Sequence, residues 1–197
     1  MVNDFLSYLF QKTYQSGFDI GLHQPFIDES FEAALTDFQY HYPQKTAVDL
    51  FNTIKFGTGW LNTFLYRFGN TVFKYDSQHC LLPEIHWLLK EVCSSEIYFS
   101  ISIGKGLYIR HGEGLVIGSR CKIGEGFVIH QHCTIGHKVK LGDGPIIGDN
   151  VEMGVGSSVL GNCTIGSKVV IGAHSLVISS VPDNVKVAGI PAKIFSR

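Results

Sequence analysis

The chain has 197 residues, 45% of them hydrophobic, and its 16 Lys and Arg nearly balance 17 Asp and Glu, for a formal net charge of −1. This length suffices for one domain, or one with an appended subdomain. The balanced charge, with no basic run, argues against a nucleic-acid partner. The five cysteines (80, 93, 121, 133 and 163) are odd in number and lack a CxxC pair, which argues against a disulfide framework or a zinc knuckle.

The opening "MVNDFLSYLFQKTYQ" carries Asp4 inside its apolar run and no basic leader, so no signal peptide is expected. No segment reaches the roughly 18 to 20 unbroken apolar residues that span a bilayer. A cytoplasmic location is the expectation.

Residues 1–95 predict an α-helical subdomain. "NDFLSYLFQKTY", "DESFEAALTDFQYHY", "KTAVDLFNTIKF", "GWLNTFLYRFGNTVFKY" and "LPEIHWLLKEV" place apolar residues three and four apart, broken by Gly, Pro and polar turns. Asp28 and Pro83 are candidate helix-start residues. The aromatics, Trp60 and Phe64 among them, suit a core.

From Ile101 the pattern changes. Ile117, Ile123, Ile129, Ile135, Leu141, Ile147, Met153, Val159, Ile165, Ile171 and Val177 recur every six residues, and glycine follows most of them. A period of six is the signature of a parallel β-helix, in which three short strand-and-corner units make one coil and residues 18 apart stack. The position four after each aliphatic residue is small or medium and faces inward. It holds Cys121, Cys133 and Cys163, which are expected to be buried and, not lying whole coils apart, unable to bridge. One interval breaks the period. In "GLYIRHGEGLVIG" the step from Ile109 to Ile117 is eight, with His111 in the surplus.

Residues 96–195 resemble the hexapeptide-repeat acyltransferases, most closely those similar to serine O-acetyltransferase. The resemblance rests on "IGKGLYIRHGEGLVIG", "VIHQHCTIG", "PIIGDNVEMGVGSSVLGNCTIG" and "VPDNVKVAGIPAKI", and more weakly on "GWLNTFLYRFG". It implies a mainly β protein with α elements: a left-handed parallel β-helix over 96–182, preceded by the helical subdomain and followed by a tail over 183–197. It implies a homotrimer, possibly a dimer of trimers, with acetyl-CoA as cosubstrate in the groove between neighbours and no metal.

By the same resemblance His111 is the general base, oriented by Glu96 fifteen residues earlier, where serine acetyltransferases have aspartate. An imidazole with a pKa near 6.5 can take the acceptor hydroxyl's proton and return it to the departing thiolate. Arg110, His130, His132 and Tyr42 are candidates for the acceptor pocket. Gly136, His137, Gly154, Val155, Ala173 and Lys193 are candidates for acetyl-CoA, through backbone groups at the corners and one lysine for a phosphate.

Two other readings stay open. His132 and His137 have the HxxxxH spacing of γ-class carbonic anhydrases, but the place of the third zinc ligand, near residue 96, holds glutamate. The serine-holding residues also depart from the family: Arg110 replaces an aspartate, Asp143 and Gly144 replace an Arg-His pair, and Tyr42-Pro43 replaces Asp-Pro. The acceptor expected from the sequence is therefore a sugar or surface-polysaccharide hydroxyl, with serine as the alternative. With "KIFSR" as the last residues, the tail by which serine acetyltransferases dock on a sulfhydrylase is not expected. The stretch "HKVKLGDGP" fits either a regular coil or a protruding loop.

Overall fold

The computed structural model describes residues 1–13, 18–138 and 142–195. Five helices open the chain: α1 (Val2–Phe10), α2 (Ile20–His41), α3 (Ala47–Phe56), α4 (Thr58–Tyr75) and α5 (Leu81–Cys93). The sequence places all five, but α2 starts eight residues before Asp28, where the Asp19 side chain accepts a hydrogen bond from the Gly21 N–H. Pro25 lies inside α2, and because proline ordinarily breaks a helix interior it hides this extension from the pattern. Pro83 does lie in the first turn of α5.

The remainder is a left-handed parallel β-helix with three faces. One face stacks β1 (Glu96–Ile97), β4 (Val116–Ile117), β7 (Thr134–Gly136), β10 (Ser158–Leu160) and β13 (Leu176–Val177). The second stacks β2 (Ser102–Ile103), β5 (Lys122–Ile123), β8 (Ile146–Ile147) and β11 (Thr164–Ile165). The third stacks β3 (Tyr108–Ile109), β6 (Val128–Ile129), β9 (Glu152–Met153), β12 (Val170–Ile171) and β14 (Lys186–Gly189), closed by the antiparallel β15 (Ala192–Phe195). The periodic residues Ile97, Ile117, Ile135 and Val159 point inward and are buried to the last few per cent.

The coils are not uniform. Glu96 pairs with Val116, twenty residues on, whereas Val116 pairs with Thr134 at the regular eighteen. Thr134 then pairs with Ser158, a step of twenty-four. The six extra residues therefore fall between β7 and β8, within the stretch "HKVKLGDGP", whose residues 139–141 lie outside the described residues. Leu141, expected in the inward series, lies outside the described residues. The longer step also corrects the cysteine spacing: Lys122, Ile146 and Thr164 are in register, which puts Cys121 and Cys163 in one column, two coils apart with Pro145 between them. Cys121, Cys133 and Cys163 are all buried and free.

Strand N–H groups donate to the following coil, as Glu96 N–H does to Leu115 and Arg110 N–H to Ile129. The carbonyls of the first coil therefore have no strand to accept from, and buried carbonyls need donors. Helix α4 supplies them. Tyr66 Oη donates to the Ile101 carbonyl at 3.1 Å, Asn70 Nδ2 to Phe99 at 2.8 Å, and Arg67 to Ile103 and Gly104 at 2.8 and 2.7 Å. Arg67 also grips Asp37 of α2 with two hydrogen bonds of 2.7 and 2.8 Å. Asp37 in turn accepts from the N–H groups of Gly106 and Leu107. Gly59 brings the start of α4 against the Ile109 carbonyl, where any Cβ would collide with the backbone.

Candidate active site

His111 stands where the first coil carries its two extra residues, at the corner between β3 and β4. It and Gly112 both adopt positive φ, 68° and 91°, which turns the histidine out of the prism; its side chain is exposed. The start of α4 meets this corner. Thr58 Oγ1 lies 2.6 Å from the His111 carbonyl and 2.8 Å from Glu113 Oε1, within donating distance of both. Together they frame a cleft of about 580 Å³ lined by Thr58, Trp60, Tyr108, Arg110, His111 and Glu113 among others.

One wall of the cleft is aromatic. Trp60 stacks on Tyr108 at 5.1 Å, and the Tyr108 and Tyr42 hydroxyls are 3.0 Å apart. Burial, followed by the hydrogen bond with Tyr42, raises the pKa of Tyr108, so it stays a neutral phenol. The Arg110 guanidinium lies 5.1 Å from the centre of the same ring. Arg110 thus belongs to the cleft, and Tyr42 reaches it through Tyr108. Glu113 and Thr58 were not singled out in the sequence. Glu113 stood in the surplus beside His111, but only the packing of α4 brings Thr58 to it.

Glu96 faces elsewhere. Its carboxylate oxygens lie 3.5 Å from Lys90 Nζ and 3.8 Å from His86 Nε2, both on α5, and it forms no ion pair with His111. Burial first, then the Lys90 charge, lowers the pKa of His86 below 6.5, with Glu96 pulling the other way. Between its folded value and 6.5 the unfolded chain binds more protons. His86 therefore stabilises the fold above pH 6.5, and that contribution is lost as pH falls through the folded value. Replacing His86 by Phe, which keeps the ring contacts with Tyr98 and Phe99, should reduce the drop in melting temperature between pH 7 and 5. An unchanged drop would remove His86 as its source.

His130, His132, Gly154, Val155 and Ala173 fall along the edge that carries His111. The His132 N–H bonds to the Glu113 carbonyl, Gly156 to Gln131 and His174 to Val155, so the corner residues Arg110 to Glu113, His130 to His132, Gly154 to Gly156 and Ala173 to His174 stack in sequence. His132 and His174 have positive φ and cover Gly114 and Gly156 of the preceding coil, where a side chain would have no room. His130 Nε2 is 3.4 Å from Glu152 Oε1. None of His130, His132 and His137 lines the cleft of His111. Gly136 and His137 lie at the next corner, where the six-residue insertion begins, and His137 Nδ1 is buried without a partner. Lys193 is on β15, opposite Ala188. Among the described residues no three His, Cys, Asp or Glu side chains are grouped to hold a metal ion, and no helix is long and apolar enough to cross a membrane.

No protein-family model and no curated protein sequence matches the chain. Solved structures do. Serine acetyltransferase from Neisseria gonorrhoeae is 30% identical, with a TM-score of 0.74 over 90% of this chain and 67% of that one. The same enzyme in complex with serine gives a TM-score of 0.76 at 27% identity, covering 95% and 80%. Serine acetyltransferase from Brucella abortus strain S19 in complex with coenzyme A is 28% identical, with a TM-score of 0.74 over 85% and 68%. At 85–95% of this chain, the likeness is too long to be confined to the coils. The chain belongs to the hexapeptide-repeat acyltransferases of the serine acetyltransferase type.

Proposed function

We propose that the protein transfers the acetyl group of acetyl-CoA to the hydroxyl of L-serine, with His111 as general base. The observation that carries the reading is the similarity, over at least 85% of the chain, to serine acetyltransferases that include complexes with serine and with coenzyme A. These relatives favour serine over the sugar or polysaccharide acceptor expected from the sequence.

In this reading the His111 imidazole removes the hydroxyl proton as the serine oxygen attacks the thioester carbonyl. The tetrahedral intermediate collapses, the C–S bond breaks, and the imidazolium returns the proton to the coenzyme A thiolate. Glu96 would orient the imidazole only after leaving Lys90 and His86. Acetyl-CoA would lie along the corner column, its amides against Gly154, Val155 and Ala173, with Gly136, His137 and Lys193 as outlying contacts. A homotrimer, or a pair of trimers, would bury the aliphatic side chains exposed on the β-helix, among them Val116, Ile146 and Ile178.

The test is thiol release from acetyl-CoA with L-serine and, separately, with hexose and amino-sugar acceptors. The expected result is release that depends on L-serine. Turnover with a sugar and none with L-serine would overturn the acceptor.

A further inference from the structure

Two charges without an ion-pair partner stand beside the base, one of them, Arg110, where serine acetyltransferases have aspartate. Arg110 and Glu113 flank His111 in the sequence and line the same cleft. They are not ion-paired to each other, and neither forms an ion pair with another described residue. The Arg110 guanidinium rests on the Tyr108 ring, and Glu113 has Thr58 as its hydrogen-bond partner through one oxygen, Oε1. Opposite charges this close in sequence ordinarily pair. Here the left-handed turn at His111 and Gly112 and the Thr58 clamp hold them apart.

We infer that Arg110 and Glu113 form a clamp for a zwitterion, Arg110 taking the acceptor's carboxylate and Glu113 its ammonium group, with the hydroxyl between them at His111. This rests on the serine reading above and deepens it. A guanidinium suits a carboxylate because its forked donors match both oxygens. A carboxylate with one oxygen already held by Thr58 is fixed in direction for an ammonium donor. The clamp supplies, from residues next to the base, the charge recognition that the departures at Arg110, Asp143 and Tyr42 remove when the sequence is read alone. It predicts an α-amino acid acceptor with both charged groups free.

The test compares kcat/KM for L-serine, L-serinamide, which lacks the carboxylate, and 3-hydroxypropionate, which lacks the ammonium group. The enzymes are wild type, Arg110→Gln, Arg110→Lys and Glu113→Gln. Glutamine at 113 still accepts from Thr58, so only the charge is removed. Losing one charge-assisted contact corresponds to about tenfold or more in affinity. Arg110→Gln should raise KM for L-serine by about that factor, leave KM for acetyl-CoA unchanged and abolish the preference for L-serine over L-serinamide, with Arg110→Lys restoring part of it. Glu113→Gln should abolish the preference over 3-hydroxypropionate. These are ratios between acceptors for one enzyme, so they do not depend on how much of a variant is folded. If wild type uses L-serine and the ratios survive both substitutions, the clamp is wrong and the serine reading stands. If wild type does not use L-serine, both fall together.

Discussion

Replacing His111 by asparagine should lower kcat/KM for acetyl transfer by about 10²- to 10⁴-fold, the range supplied by a positioned general base. Asparagine is the better first choice because His111 has φ of 68°, a conformation that asparagine tolerates and alanine resists. It also keeps the Thr58 hydrogen bond, which goes to the backbone carbonyl and not to the ring. The side chain is exposed at its corner, so the substitution removes little packing, and surface changes of this kind usually alter stability by less than about 0.5 kcal/mol. A variant with an unchanged melting temperature and transfer reduced by that factor is the expected outcome. Activity within tenfold of wild type, under conditions where the chemical step limits, would take the base role from His111.

The surplus that marked His111 was legible because two is not a multiple of six. The insertion after β7 was not, because six extra residues leave a six-residue period in phase. The aliphatic series therefore runs through "HKVKLGDGP" as if nothing had been added, although the ladder passes directly from Thr134 to Ser158. The same blindness separated Cys121 from Cys163 on paper while the fold stacks them in one column. A local pattern reports phase along a chain and cannot count coils.

The site divides along similar lines. His111 and Arg110 could be found because they sit in the broken step. Thr58 could not, since nothing in "GTGW" says that the start of α4 will meet the corner of the first coil; that follows from tertiary packing. Glu96 shows the opposite case. Its position fifteen residues before His111 matches the family spacing, yet Lys90 and His86 from α5 hold its carboxylate. The sequence also pointed away from serine, because the charges of the serine-holding residues change sign or vanish. The structure brings Glu113 and Arg110 into one cleft, and under the proposed clamp the same departures would be a different means of holding the same kind of acceptor.

Truncating Arg67 to alanine should destabilise the protein by about 3–5 kcal/mol, the range for removing one partner of a buried ion pair. Asp37 is about 1% exposed and Arg67 about 10%, so alanine leaves an uncompensated carboxylate in the interior. It also strips the Ile103 and Gly104 carbonyls of their donor at the open end of the β-helix. Lysine should not rescue the variant, because a single ammonium cannot meet Asp37 and both carbonyls in the arrangement of the guanidinium. Urea midpoints check the size of the loss, and a double-mutant cycle with Asp37→Ala checks its origin: the two losses should fall short of additivity, by between about 0.5 and 3 kcal/mol for residues in contact. Additive losses would mean that the pair does not tie α2 and α4 to the coil. Because the first coil carries His111, the Arg67 variant should also lose transfer activity before the later coils unfold, although Arg67 does not line the His111 cleft. Activity that persists to the global unfolding midpoint would show that the first coil holds its shape without this cap.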